Sequence, residues 1–325
     1  MNSSRVSVII PAYNYAAYIG QTLESLQTQT FAGWQCVVVD DGSTDDTPEI
    51  VRSHAMQDAR FTLIPLQNGG PSAARNAGIR ESTGEYLQFL DADDLLEPRK
   101  FEHQVAYLDE HPEVDFVYGP TRYFRNEFPD ERTLSIDGGD FDWTTENSAS
   151  GKTLIDALLR SNLTTIHAPL VRRGLIEQIG GFNEAMRYME DWDLWLRGAL
   201  HGARYHFLQQ DDTMALTRSH GVSLSRARIA MLQGQVQMRE SIHARLDDAE
   251  LRALNQALLF QAQTLLRFEQ ALAEPHWPRR YRRLLHSIPP KARFKWLVYA
   301  LTLPVLRGRL RPLLQKIRTV RKRRG

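Results

Sequence analysis

The sequence predicts an α/β protein built on a mostly parallel sheet with helices on both faces, and three observations carry that expectation. β-branched runs end at Pro11, at Asp40 and at Leu66, and the first two are followed by segments that read as helices. The connections are short, as alternating strand and helix units require. The polar residues that stand out, Asp40-Asp41, Asn68 to Pro71 and Asp91 to Asp94, all follow a predicted strand, where such sheets hold their ligands.

Val6 to Ile10, stopped by Pro11, forms the first expected strand, and Ile19, Leu23 and Leu26 recur at helical spacing before a second strand at Trp34 to Val39. Ser43-Thr44-Asp45-Asp46 resembles a helix start, with Ile50 and Val51 inward. Phe61 to Leu66 supplies a third strand. Gly69-Gly70-Pro71 then opens a helix of small residues, Ala73, Ala74 and Ala77, which Thr83-Gly84 ends before a strand at Tyr86 to Leu90. A helix is expected over Pro98 to Leu108, short strands at Val114 to Tyr118 and Tyr123 to Phe124, a polar loop over Asp137 to Ser150, and a helix at Thr153 to Leu159. Leu194, Leu196 and Leu200 would face inward on a helix whose first turn carries Glu190, Asp191 and Asp193. Ala203 to Leu208 reads as a returning strand and Thr217 to Ser223 as a polar loop. From Arg226 the pattern is helical, with Ile229, Leu232 and Val236 on one segment and Leu251, Leu254, Leu258, Leu265 and Leu266 on another, divided near Asp247-Asp248.

A chain of 325 residues can bury a sizeable core and leaves room for an appendage. Its net charge of +1 hides an asymmetry: His276 to Gly325 holds 16 Lys or Arg and no acid, so the first 275 residues carry 24 bases against 39 acids, a balance of −15. Cys36 is the sole cysteine, which excludes a disulfide framework and favours a reducing compartment. Met1 to Arg5 leads directly into a strand with no apolar signal segment, so a cytoplasmic location is expected. The uncharged stretch Trp296 to Leu306 would be about 16 Å long as a helix, against roughly 30 Å of hydrocarbon. Its aromatics and basic flanks suit a helix lying on an anionic membrane surface, so the tail is expected to make the protein peripheral on the inner face of the cytoplasmic membrane. Nucleic acid, the competing partner for a basic tail, does not require the apolar area of Trp296, Leu297 and Val298.

The acidic stretch after the Tyr86 to Leu90 strand is the most informative. An extended chain through Ala92 would set Asp91 and Asp93 on one side, about 7 Å apart, where two like charges call for a cation between them and a ligand. Carboxylates are hard donors suited to Mg²⁺ or Mn²⁺, which keep open positions for phosphate oxygens. A helix cap is the competing role, above all for Asp94. Glu190, Asp191 and Asp193 likewise have a competing role as acids favoured by a helix N-terminus.

Val6 to Asn14, Asp40 to Asp45, Ala74-Arg75-Asn76-Ala77-Gly78 and Asp91-Ala92-Asp93-Asp94 together resemble glycosyltransferase family 2, and Gly180-Gly181-Phe182 and Glu190 to Trp195 continue the likeness, over about residues 5 to 225. The resemblance implies the GT-A type of fold and an inverting transfer from a nucleotide sugar, with a UDP-sugar first among donors. It implies that Pro11, Ala12 and Tyr13 line the nucleotide pocket, that Asp41, with Asp40 beside it, accepts hydrogen bonds from the base, and that Arg75 reaches the base or diphosphate. Asp91 and Asp93 match the family's Asp-x-Asp, touching ribose and a Mn²⁺ or Mg²⁺ ion. Asp191 matches the general base, Trp192 and Trp195 would shape the acceptor pocket, with a place in the core as the competing role for at least one of them, and His220 resembles a histidine that closes over the diphosphate at the metal. The expected organisation is a glycosyltransferase domain over 1–225, a helical extension over 226–275 and a basic amphipathic tail over 276–325. The expected acceptor is a saccharide or a lipid-linked hydroxyl in cell-surface glycan synthesis, with no nucleic-acid partner. Transfer to a polyprenyl phosphate and a nucleotide-binding protein without catalysis are the alternatives.

Overall fold

The computed structural model of the chain describes residues 4–134, 148–210, 212–219 and 228–273. The chain divides into two compact units, 1–262 and 263–325, and the fold described here is that of the first.

A seven-stranded sheet forms its centre. β1 (Val6–Ala12) lies between β2 (Trp34–Asp40) and β4 (Tyr86–Phe89), with β3 (Phe61–Pro65) outside β2, and all of these pairs are parallel. Beyond β4 the order continues through β9 (Leu170–Arg172), β6 (Phe116–Tyr118) and β10 (Tyr205–Phe207). β9 runs antiparallel to both its neighbours, and β10 returns parallel to β6. The α/β architecture and the mostly parallel sheet are as expected. β1 extends through Pro11 because β4 pairs with it only as far as Ile9. Past that point one edge of β1 is open, so a residue without an N–H costs no ladder bond.

The period-2 alternation of side chains splits β1 between two cores. Val6, Val8 and Ile10 pack with Leu23, Leu26, Val51, Phe101 and Val105, from helices α1 (Ile19–Gln27), α2 (Thr47–Gln57) and α4 (Lys100–Glu110). Ile9 faces the other way, into a core with Leu87, Phe89, Leu158, Trp195 and Ile242, which draws on α5 (Gly151–Arg160), α7 (Glu190–Leu200) and α8 (Arg228–His243). Helix α3 (Pro71–Glu81) lies on that same side, where a Cβ on Gly78 would meet Ile9 Cγ2 at 2.5 Å. α9 (Ala249–Ala273) starts just after Asp248, whose Oδ1 accepts the N–H groups of Glu250 at 2.9 Å and Leu251 at 3.0 Å. The expected division of the helical region near Asp247-Asp248 is therefore a capped helix start.

A second sheet of four strands, β5 (Leu95–Leu96), β11 (Ala215–Arg218), β7 (Thr121–Arg125) and β8 (Phe128–Thr133), stands beside the residues that follow β4, where Arg218 bonds to Asp93 and Asp94. It corrects one expectation: Thr217 and Arg218 belong to a strand rather than a polar loop. Helix α4 starts two residues later than expected, and α6 (Arg173–Gln178) and β9 were not expected at all.

Gly84 marks a close approach of backbones. A Cβ there would lie 2.6 Å from Ser7 Oγ, 2.7 Å from Ser7 N and 2.8 Å from Arg5 O, and backbone cannot yield as a flexible side chain does. Gly84→Ala is expected to cost about 1–3 kcal/mol, read as a lowered melting temperature. An unchanged melting temperature would mean that the two segments part without penalty.

Candidate active site

β4 ends at Phe89, and the acids that follow do not continue it. The Asp94 N–H donates to Asp91 O at 3.1 Å, closing a turn over Asp91 to Asp94. The extended geometry that would have paired Asp91 with Asp93 is therefore replaced. The turn instead gathers Asp91 and Asp94 with His167, and one donor atom from each of these three lies within 4.8 Å of the others. Asp94 is not a helix cap either: its Oδ1 accepts the Arg218 N–H at 2.8 Å, and its Oδ2 lies 3.1 Å from His167 Nδ1. Burial, then the charges of Asp93 and Asp91, push the Asp94 carboxyl well above its ordinary value. Burial likewise lowers the His167 imidazole to about 4, so it stands neutral and able to donate a lone pair.

The Arg218 guanidinium braces this turn from β11. Nε donates to Asp93 O at 2.6 Å, one terminal nitrogen to Gln21 Oε1 at 2.9 Å and the other to Asn126 Oδ1. Asp93 thus holds its place through its main chain, and its carboxylate stands outside the three-donor group.

The donor set fits a divalent ion. His167 Nδ1 is buried and lacks an aligned hydrogen-bond partner, although it lies 3.1 Å from Asp94 Oδ2. Adjacent donors of an octahedral ion at about 2.1 Å are about 3 Å apart, so this spacing suits ligation. Two carboxylates with an imidazole suit Mn²⁺ as well as Mg²⁺. His220 lies outside the described residues.

Arg75, on α3, spans two sides of the site. Its side chain is only 4% exposed, and it donates to Asp91 Oδ1 at 2.7 Å and to Glu190 Oε1 at 2.8 Å. Burial acts to lower its pKa, but the charges of Asp91 and Glu190 outweigh burial and the net shift is upward. Its neighbour Asn76 ties α3 to the glycine turn: Oδ1 accepts the Phe182 N–H at 2.8 Å and Nδ2 donates to Phe182 O at 2.9 Å. Gly181 has φ +70°, and a Cβ on it would stand 2.6 Å from Asn76 Oδ1. The Arg75-Asn76 and Gly180-Gly181-Phe182 blocks, a hundred residues apart in sequence, therefore meet.

Pro11 and Ala12 end β1 beside Val39 and Asp40 of β2, and Tyr13 beyond them is 45% exposed. Asp41 is buried and accepts the N–H groups of Gly69 at 2.7 Å and Gly70 at 2.8 Å, one on each oxygen. Asp40 accepts the Ser43 N–H at 3.2 Å. The acids after β2 thus shape the loops at the mouth of the sheet, and Gly70, with φ +87°, supplies the left-handed bend before α3. Tyr15 stands near the acidic turn, where burial and then Asp93, Asp91 and Asp94 raise its phenol.

Asp191 lies in the first turn of α7, after Met189 in the left-handed region at φ +63°. Its Oδ1 accepts the Trp192 N–H at 2.7 Å, and its Oδ2 accepts from Asn162 Nδ2 at 3.0 Å. The helix N-terminus favours the anion. Burial, aided by the charge of Glu190, outweighs it and pushes the Asp191 carboxyl up to about 7. Asp193 is fully buried with Oδ2 accepting from Arg197 Nε at 2.7 Å, while Arg197 also holds the carbonyls of Ile179 and Gly181. It serves the fold. Trp192 and Trp195 lie in the core, 6% and 1% exposed, and the Trp192 ring N–H donates to Leu158 O at 2.7 Å. They back the site from within.

Asn162, His167 and Arg218 were not singled out by sequence. Asn162 and His167 lie in the segment that leads into β9, whose three residues give too short a run to announce a strand.

The model of Glycosyl transferase family 2 matches residues 7–180, more than half of the chain. The chain belongs to glycosyltransferase family 2. An uncharacterized glycosyltransferase of Rickettsia bellii is 36% identical over 141 residues, 43% of this chain and 20% of its own length. Another, from Rickettsia prowazekii, is 31% identical over 197 residues, 60% of this chain and 58% of its own. The chain thus spans between about a fifth and three-fifths of these curated relatives. Among solved structures, S. aureus TarS 1-349 in complex with UDP-GlcNAc superposes with a TM-score of 0.63 at 20% identity, covering 97% of this chain and 87% of that one. The mannosyltransferase PcManGT from Pyrobaculum calidifontis, in complex with GDP-Man and Mn²⁺, gives 0.62 at 23% identity, covering 93% and 82%. At these identities the likeness speaks for a shared GT-A type of fold.

Proposed function

We propose that the chain is an inverting, metal-dependent glycosyltransferase that moves a sugar from a nucleoside-diphosphate sugar, a UDP-sugar first, to a hydroxyl of a saccharide or lipid-linked acceptor in cell-surface glycan synthesis. The observation that carries this function is the pairing of Asp191, a carboxyl raised to about 7, with an acidic turn to which Glu190 and Arg75 connect it. A base works best when its pKa lies near the operating pH. Asn162 would hold the Asp191 carboxylate in orientation while it takes the proton of the acceptor hydroxyl, whose oxygen attacks the anomeric carbon opposite the leaving group. Asp91, Asp94 and His167, with Asp93 alongside, would hold a divalent ion, which when bound supplies Lewis-acid neutralisation of the departing diphosphate. Pro11, Ala12 and Tyr13 would border the nucleotide, with Asp41 setting the Gly69-Gly70 loop and receiving the base. A phosphate acceptor, as in polyprenyl-phosphate transfer, would gain little from such a base.

The test is incubation with a panel of nucleotide sugars, with and without Mn²⁺, following nucleotide release. Release that needs the ion and is lost in Asp91→Ala and Asp94→Ala is expected. Equal release in a chelator would overturn metal dependence, and no release or binding with any donor would overturn the transferase.

No helix among the described residues is long and apolar enough to cross a membrane. The 16 bases of residues 276–325, which lie outside the described residues, support a peripheral attachment to anionic lipid, worth about 1 kcal/mol per base near the surface. Deleting residues 290–325 is expected to abolish cosedimentation with phosphatidylserine vesicles while leaving donor hydrolysis in place. Equal cosedimentation of the two forms would count against the attachment.

A further inference from the structure

Lys100, the first residue of α4, is fully buried, and its ammonium reaches no carboxylate among the described residues. Nζ donates instead to two amide oxygens, Gln88 Oε1 at 2.6 Å and Gln104 Oε1 at 2.7 Å. Each amide then spends its nitrogen on main chain. Gln88 Nε2 donates to His167 O at 2.8 Å and to Phe89 O at 2.6 Å, and Gln104 Nε2 donates to Ala168 O at 3.1 Å. All three side chains are sealed from water. The contacts also settle which way both amides face, since only their oxygens can accept from the amine.

The ends of this network matter more than its centre. Phe89 is the last residue of β4, two before Asp91, and Lys100 is six residues after Asp94. His167 and Ala168 are the other arm. Through the two amides one amine therefore ties together the segments that deliver Asp91, Asp94 and His167, and Gln88 holds His167 by its main-chain carbonyl. A cheaper core would place apolar groups here, because a buried cation paired only with neutral amides leaves a large desolvation cost, and burial does lower the Lys100 pKa well below the ordinary lysine value.

We propose that Lys100, through Gln88 and Gln104, is a positioning residue for the divalent-ion site: it sets the distance between the His167 ring and the acidic turn. This rests on the metal-dependent function proposed above. Lys100 touches neither ion nor substrate, and it acts on the loop that carries the imidazole. Groups that orient ligands from behind change metal affinity about 10- to 100-fold when removed.

The experiment measures Mn²⁺ binding by the electron paramagnetic resonance of the unbound ion, with and without UDP, alongside thermal melting. Lys100→Met keeps the length of the side chain and removes the donors, and it is expected to weaken Mn²⁺ binding about tenfold or more. Gln104→Met removes the Ala168 arm and one of the two oxygens that hold Lys100 Nζ, leaves the Gln88 arm to His167 in place, and is expected to weaken it about threefold. Leu108→Ala, two turns further along the same helix, is the control for stability alone: its melting temperature falls while Mn²⁺ affinity stays within about twofold of the parent. If Lys100→Met does not fold, Gln104→Met decides. Wild-type binding of Mn²⁺ with unchanged affinity in the folded variants overturns the positioning role and leaves the metal site standing. No Mn²⁺ binding by the wild-type protein, with or without UDP, overturns both.

Discussion

Asp191→Asn is expected to lower turnover about 10²- to 10⁴-fold while donor affinity stays within about twofold. The amide matches the carboxylate in size; its one oxygen can still accept the Trp192 N–H, and its nitrogen can donate to Asn162 Oδ1, which has no partner among the described residues of the wild-type protein, once that amide turns over. Only its ability to take a proton is lost. Because burial raises the Asp191 carboxyl to about 7, the wild-type rate should climb with pH through that value and level off above it. Glu190→Gln removes a charge that raises this pKa, so the midpoint should move to lower pH. Stability has the opposite sign. The folded chain holds this proton more tightly than the unfolded chain does, so between 3.8 and about 7 the contribution of Asp191 to stability is lost as pH rises. Single-turnover kinetics with a donor and its acceptor, across pH 5 to 9, check the rate. Unchanged turnover in the amide variant would remove Asp191 from the chemistry.

Arg75→Met is expected to destabilise the fold by about 2–4 kcal/mol, below the full range for a broken buried pair because Asp91 is 35% exposed and partly screened. The substitution leaves Asp91 and Glu190 without the cation that separates them. For a unit of this size the melting temperature should fall roughly 5–15 °C. Loss of the guanidinium also removes a charge that lowers the Asp191 pKa, so the pH profile of any residual activity should move up. Arg75→Lys restores one charge without the fork and should recover part of the stability. Calorimetry checks this, and a melting temperature within a degree of the parent would show that the two acids need no bridge.

The sheet was legible because its strands are β-branched runs with punctuated ends, and the acids after β2 and β4 stood out for the same reason: charge directly after an apolar run is costly unless used. The conformation of Asp91 to Asp94 was not legible. Whether four residues continue a strand or turn back depends on Arg218, more than a hundred residues later, which holds the Asp93 carbonyl and the Asp94 carboxylate. Asp191 and Asp193 are alike in sequence, and only Arg197 one turn on and Asn162 from another segment separate an acid held in an ion pair from one whose carboxyl is raised to about 7. Aromatic rings beside acids suggested an acceptor pocket, yet Trp192 and Trp195 follow the helical period into the core.

The reversed direction of β9 has a consequence for how this scaffold can be altered. Parallel strands present their exits at the ligand rim, but a strand running the other way presents its entrance there, so the segment before Leu170 reaches the same rim as the turn after Phe89. Two groups from one stretch, Asn162 and His167, are thus handed to opposite partners, Asp191 and Asp94. Grafting that stretch between family members would exchange the groups set against Asp191 and against Asp94 together, without touching the ends of β1 and β2.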